Sequence, residues 1–272
     1  MNSWNYISQT NMKFAQYYNP LDLLKHLKLF YNIQRELFEL LEKDNNLHPN
    51  KSKITHARHG SIKFPDAYII KLLLDTYKPK NILEVGSFLG FSTRWLLELS
   101  NKWNAKVSAV DPNIRHRIFD NPRNYVQQLN SKYYNETLEI ITAFFGELNF
   151  DIYKKYRNSE PKLDKKQVDE LLSKIDTIDS GWNRNFDFIF IDGDHSYKSV
   201  ISNFEVALNL VNKGGCIVFH DVLSWNDVRQ ALEHIENKYT KRIKLEILGN
   251  FERYLLKLIN KSNDGIALIK IL

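Results

Sequence analysis

From Asn81 onward the chain alternates short runs rich in β-branched and aromatic residues with amphipathic stretches, and this alternation restricts the fold more than any other feature. The runs fall at 82–85, 107–110, 138–141, 186–191 and 216–219, and helical spacing appears at 92–99, 199–211 and 225–238. A run that is apolar at every position, such as Phe188-Ile-Phe-Ile191, has to be buried on both faces. That is the condition of a parallel strand covered by crossover helices on either side. Two more runs, 243–248 and 266–272, are placed to close the sheet. The expectation is an α/β fold built on a mostly parallel seven-stranded sheet, with helices on both faces and an N-terminal helical extension.

That extension is assigned to residues 1–60 and the main domain to 61–272. Asn19-Pro20 reads as an N-cap followed by proline at the first helical position, and Leu21, Leu24, Leu27, Phe30, Leu37 and Leu41 continue at helical spacing to residue 43. The polar stretch 44–65, with His56, Arg58, His59 and Gly60 close together, is expected to be a loop before a helix at 66–77. It is either a surface linker or a segment that closes the active site. Between the third and fourth runs lies a charged insertion, 151–185, in which Asp164 and Gln167 stand at capping-box spacing ahead of Val168, Leu171, Leu172 and Ile175. A helix packed on the body and a lid over a substrate pocket both fit this pattern.

With 272 residues and 43% apolar composition the chain can bury a sizeable core. One cysteine, Cys216, cannot form an intramolecular disulfide, no zinc-ligand spacing is present, and residues 1–11 lack the pattern of a signal peptide. No apolar run approaches the roughly 20 residues of a membrane span, so the expectation is a cytoplasmic protein with no membrane partner. The formal charge of +6 comes from 38 Lys and Arg dispersed among 32 acids. Dispersed charge points to a solvated basic surface, and nucleic acid is not the expected partner.

The chemistry sits in four ordered segments. The first run ends in Glu84-Val-Gly86-Ser87-Phe-Leu-Gly90-Phe-Ser92, a strand entering a glycine-bearing turn and then a helix. It departs from the dinucleotide pattern G-x-G-x-x-G, because Phe88 holds the middle position. The second run ends in Asp111, where a carboxylate can accept both hydroxyls of a ribose. After the fully apolar fourth run come Asp192, Asp194 and His195, and the next run delivers His220 and Asp221 to the same edge. Asp192 with His220 and Asp221 can supply three ligands to a divalent ion, although single strand-end acids often only cap helices. His195, with an ordinary pKa near 6.5, can take a proton at neutral pH.

In these segments, Glu84–Ser92, Asp111, Asp187–His195 and Gly214–Asp221, the chain resembles the class I S-adenosylmethionine-dependent methyltransferases. Within them it is most similar to the catechol O-methyltransferase-like and macrocin-type O-methyltransferases. The resemblance covers about residues 60–272 and implies a Rossmann-like methyltransferase fold, with S-adenosylmethionine and a divalent metal such as magnesium or manganese as cofactors. It places Glu84, Gly86, Ser87 and Gly90 at the methionine end of the cofactor, with Ser92 adding helix-start N–H groups, Asp111 on the ribose, and Phe145 and Gly146, within 144–147, at the adenine. Asp192 is assigned both to the cofactor and, with His220 and Asp221, to the metal, and His195 stands at the family's general-base position. A histidine occupies a place where the family usually has an oxygen ligand, and imidazole suits manganese, iron or zinc better than magnesium. The implied reaction is methyl transfer to a hydroxyl of a small molecule such as a sugar, phenol or natural product, and a homo-oligomer is left open. Two other readings stand beside it: a methyltransferase acting on RNA or another macromolecule, and a non-catalytic nucleotide-cofactor-binding domain. The first would usually carry N/D-P-P-Y/F where Ile191-Asp-Gly-Asp-His195 stands, and the second is disfavoured by Phe88 and by the acids and histidines at the sheet edge.

Overall fold

In the central strands successive side chains enter opposite apolar layers. Ile82, Phe188 and Phe190 point into one, while Leu83, Val85, Ile189 and Ile191 point into the other. This is a computed structural model, and it describes residues 19–44, 49–147, 163–248 and 264–272. Strands β1 (Asn81–Val85), β2 (Lys106–Asp111), β3 (Leu138–Phe145), β4 (Asp176–Ile178), β5 (Phe186–Ile191), β6 (Val211–Phe219), β7 (Ile243–Leu248) and β8 (Ile266–Ile271) form one sheet. Their order is β4-β3-β2-β1-β5-β6-β8-β7. Pairing is parallel from β4 through β6, and β8 runs antiparallel to both β6 and β7. Strands β1 and β5 are neighbours in parallel register, so their C-terminal ends open side by side. That is where an open α/β sheet forms its ligand crevice.

The sheet has eight strands where seven were expected. The extra one, β4, lies inside the segment assigned as an insertion and pairs with the end of β3. Its sequence, Asp-Thr-Ile, leaves two of three side chains exposed, so no hydrophobic period marks it. Ahead of it, Asp164 and Gln167 form the expected capping box on α6 (Lys165–Leu172). Val168 is buried there and Leu172 and Ile175 pack beside Ile114, whereas Leu171 remains 38% exposed. Residues 151–162 of the lid expectation lie outside the described residues.

One layer is covered by α1 (Pro20–Lys43), α3 (Phe64–Tyr77), α4 (Phe91–Ser100) and α5 (Pro122–Leu129), the other by α7 (Tyr197–Leu210) and α8 (Asn226–Tyr239). The stretch expected as a loop contains α2 (Asn50–His59), a polar helix that buries only Lys53 and Ala57. Lys53 donates from Nζ to the Asp44 carbonyl at 2.7 Å, which accounts for a buried lysine in so polar a segment. Helix α5 was not expected at all; eight residues give too few turns for a period to stand out. No helix among the described residues is long and apolar enough to cross a membrane.

Helix α1 is part of the main apolar layer. Asn19 caps it by accepting from the Leu21 amide at 2.9 Å, and Phe30, Ile33, Leu37 and Leu41 are buried. Phe30 meets Phe91 edge to face at 4.8 Å, and Asp22 accepts from the Tyr68 hydroxyl and Lys71 of α3. Leu21 and Leu24, counted in the apolar stripe, are instead 76% and 60% exposed. Ile33→Ala should therefore destabilise the protein by about 2–5 kcal/mol, and Leu24→Ala by no more than about 0.5 kcal/mol. Urea-unfolding midpoints measure both, and equal effects would show that α1 does not pack as described.

Candidate active site

The turn after β1 is built around an approach that excludes a side chain. Gly86 has φ +89°, and a Cβ there would lie 2.2 Å from the carbonyl oxygen of Asp192, the residue that follows β5. Phe88 is also left-handed, at φ 46°, which is rare for an aromatic residue. Asp111 holds the turn in this shape. Its Oδ2 accepts from the Ser87 and Phe88 amides at 3.0 Å each, and its Oδ1 from the Asn113 amide at 2.7 Å. Gly90, at φ +83°, faces α5, where a Cβ would meet Val126 and Asn130.

Under this turn Glu84 is wholly buried and accepts from the Thr93 hydroxyl of α4. Burial pushes its carboxyl up to about 8, against partial opposition from the Ser92 and Thr93 hydroxyls. Glu84 Oε1 and Ser87 Oγ are buried without a hydrogen-bond partner. At the end of β3 the Phe145 ring lies in the apolar layer beneath α7, and Gly146, at φ +67°, is pressed against Ser202.

Beside the turn the remaining expected side chains come together. His220 Nδ1 lies 3.1 Å from Asp192 Oδ1 and 3.7 Å from Asp221 Oδ1, and His195 Nε2 lies 2.7 Å from Asp221 Oδ2 and 3.9 Å from Asp192 Oδ1. The His195–Asp221 contact is an ion pair that is not aligned as a hydrogen bond. Asp221 is itself left-handed, at φ 64°. Potential ligand atoms of Asp192, His220 and Asp221 all lie within 4.8 Å of one another. Burial alone would raise Asp192, but His220 and His195 hold it well below the usual carboxylate range. Burial opposes the charge on both imidazoles, and the facing carboxylates outweigh it: His220 is raised well above its ordinary value and His195 to about 9. His195 thus differs from the near-6.5 group assumed from sequence, because it faces Asp192 and Asp221 together. Asp194 is turned aside, accepting from the Ser196 hydroxyl at the start of α7.

Two residues were missed. Asp66, in the first turn of α3, is fully buried with Oδ2 3.3 Å from His220 Nε2. It reads in sequence as an acid near a helix start, and no spacing links it to a residue 154 positions away. Trp225 lies flat on the His195 ring, with centroids 4.8 Å apart and planes 9° from parallel, and is half-exposed. A lone tryptophan before a helix carries no such signal.

Because the folded state retains the Glu84 proton that the unfolded chain loses near 4.5, this residue makes the fold less stable as pH rises from about 4.5 through 8. Glu84→Gln should abolish that loss. Relative to wild type, the variant should gain on the order of a few kcal/mol of unfolding free energy between pH 5 and pH 8.5. Parallel pH profiles of the urea midpoints would mean that Glu84 is not protonated in the fold.

Comparison with known proteins agrees with this architecture. The O-methyltransferase from Bacillus cereus, solved in complex with SAH, superposes with a TM-score of 0.54 at 18% identity, over 89% of this chain and 91% of that one. TomG from Streptomyces achromogenes, an O-methyltransferase solved with SAM, gives 0.51 at 16% identity over 84% and 90%. At such identities these likenesses show the fold. Among curated sequences, the "Probable caffeoyl-CoA O-methyltransferase 3" of Dictyostelium discoideum is 37% identical over 93 residues, 32% of this chain and 34% of that protein. "Uncharacterized protein R132" of Acanthamoeba polyphaga mimivirus is 35% identical over 85 residues, 31% of this chain and 35% of that one. The chain thus spans about a third of the length of the curated relatives it matches. Residues 83–222, from within β1 to just past the His220-Asp221 pair, match the model of a methyltransferase domain. That segment takes in more than half of the chain and every expected site residue, and the chain belongs to this methyltransferase-domain family.

Proposed function

We propose that the protein is an S-adenosylmethionine-dependent O-methyltransferase, metal-assisted, acting on a hydroxyl of a small molecule. The observation that carries this reading is the convergence of Asp192, His195, His220 and Asp221 beside a turn whose Gly86 touches the Asp192 backbone. The residues fit both groups. Glu84 Oε1 and Ser87 Oγ are buried polar atoms in want of partners beside a turn that only glycine can form, which suits the charged amino-acid end of the cofactor. Two carboxylates and one imidazole within 4.8 Å suit a divalent ion that accepts mixed oxygen and nitrogen ligands.

In this reading S-adenosylmethionine supplies an electrophilic methyl group, and a cation held by Asp192, His220 and Asp221 supplies positive charge for the substrate oxygen and for Asp221. Asp111 accepts from the ribose hydroxyls while its Oδ2 keeps the Ser87-Phe88 turn in shape. Gly146, at the end of β3, would stand at the adenine end, whereas the Phe145 ring is committed to the apolar layer and Gly90 and Ser92 shape the turn and the start of α4. Asp192 and Asp221 raise His195 to about 9, so the ring holds a proton while they face it; with both carboxylates turned to a cation it would release that proton to solvent and could then take the substrate proton at Nε2, the atom that Asp221 engages at 2.7 Å in this structure. Trp225 fixes the plane of that ring. Gly60 borders the turn, packed on the Phe88 ring.

S-adenosylhomocysteine should bind, and Asp111→Ala should weaken it by on the order of 1.5–3 kcal/mol in calorimetry. Unchanged affinity would refute the ribose assignment. Transfer to hydroxylated acceptors should be suppressed by EDTA and by Asp221→Ala. His195→Ala should lower turnover about 10²–10⁴-fold with cofactor binding intact. Full turnover in EDTA would reduce the acids to structural groups, and full turnover in His195→Ala would remove the base.

A further inference from the structure

Asp66 has no place in the reading above except through His220, and its surroundings are more specific than stability requires. Its Oδ2 accepts from the Asp264 amide at 2.8 Å and its Oδ1 from the Gly265 amide at 3.2 Å, so the chain entering β8 clamps both oxygens. Fully buried and clamped, the carboxylate cannot swing away, and it offers Oδ2 to His220 Nε2 at 3.3 Å. Two backbone donors on its oxygens leave it an acceptor toward the ring, so the hydrogen between them belongs to Nε2. The other ring nitrogen, Nδ1, faces Asp192 and Asp221 at 3.1 and 3.7 Å. A carboxylate behind the far nitrogen of a histidine is the usual means of fixing the tautomer that presents the near nitrogen to a metal.

We propose that Asp66 is a positioning residue: it keeps the His220 hydrogen on Nε2 and so makes Nδ1 a ligand, with Asp192 and Asp221, for an ion of the manganese, iron or zinc type in preference to magnesium. The inference rests on the metal-assisted reading above. As the metal–nitrogen bond forms, any proton on Nδ1 leaves to solvent, and no other reactant is needed. Preference follows from donor chemistry, because imidazole suits the transition ions and magnesium prefers an all-oxygen set.

The test is metal binding to the full chain, followed by the electron paramagnetic resonance signal of free Mn²⁺, with Mg²⁺ as competitor. Wild type should bind Mn²⁺ ahead of Mg²⁺, and the bound Mn²⁺ should show coupling to one imidazole nitrogen. Asp66→Asn can donate to Nε2 and so favours the wrong tautomer; it should weaken Mn²⁺ about 10–100-fold and narrow the preference over Mg²⁺. His220→Asn should abolish the nitrogen coupling and the preference, and in that background Asp66→Asn should have no further effect on Mn²⁺. Wild-type affinity and coupling in folded Asp66→Asn would overturn the role of Asp66 and leave the metal reading standing. Should Asp66→Asn fail to fold, a Mn²⁺ preference retained in His220→Asn would overturn it equally. Wild type that binds no Mn²⁺ would overturn both.

Discussion

The backbones of Gly86 and Asp192 meet at a point where there is no room for a single methyl group. That contact joins the ends of β1 and β5, neighbours in parallel register, and it puts the glycine-bearing turn and the cluster of acids and histidines in one place. Its consequences run outward. Gly86 must be left-handed, Asp111 must hold the two amides that follow, and Glu84, one residue inside the strand, is sealed in a dry layer where its charge is disfavoured. A side chain at position 86 would push β1 and β5 apart at their open ends, and the site would lose its floor.

Around that floor the molecule keeps a chain of charged groups that an apolar core would not need. Asp66, His220 and Asp192 follow one another at 3.3 and 3.1 Å, and Asp221 and His195 pair at 2.7 Å beside them. Removing such groups from water costs several kcal/mol each before any attraction is counted, and apolar replacements are often no less stable. The neighbouring strands are almost entirely apolar, with Phe188, Ile189, Phe190, Ile217 and Val218 essentially inaccessible. So the stability of the sheet supports a polar arrangement that stability itself does not require. The left-handed Asp221 belongs to the same arrangement, since backbone strain of this kind persists only where surrounding structure imposes it.

The strands of the sheet were legible in the sequence because burial on both faces writes itself as unbroken apolar runs, and the ends of those runs gave Glu84, Gly86, Asp111, Asp192, His195, His220 and Asp221 their places at one edge. What escaped has the opposite character. Strand β4 has three residues and one buried side chain, α2 is polar on nearly every face, and α5 is barely two turns long. Leu21 and Leu24 fitted the helical period of α1 yet face away from the core, since period shows which residues share a stripe and not which stripe meets a neighbour. Asp66 escaped for a different reason. Its partner is 154 residues away, joined to it only through the tertiary fold, and long-range pairing of one acid with one histidine leaves no local mark. The electrostatics escaped with it. A histidine read alone has its ordinary pKa, whereas His195 placed between two carboxylates is raised to about 9.

Phe88 decides between the two cofactor classes that a strand–turn–helix of this kind can serve. In dinucleotide-binding turns the middle glycine lets a pyrophosphate approach the backbone. Here that position adopts the left-handed conformation a glycine would adopt, but carries an aromatic ring. The strain is offset by the Phe88 amide bond to Asp111 and by ring contacts, edge to face with His116 at 4.9 Å and Phe119 at 5.6 Å, and against Gly60, where even a Cβ would collide with the ring. A ring so anchored cannot move aside for a phosphate, and both free amides that could have cradled one, Ser87 and Phe88, already donate to Asp111. The turn has therefore committed these two amides to Asp111 while leaving Glu84 Oε1 and Ser87 Oγ without partners. Where a dinucleotide turn offers bare backbone, this one presents an aromatic ring and a carboxylate, and both stand against a pyrophosphate.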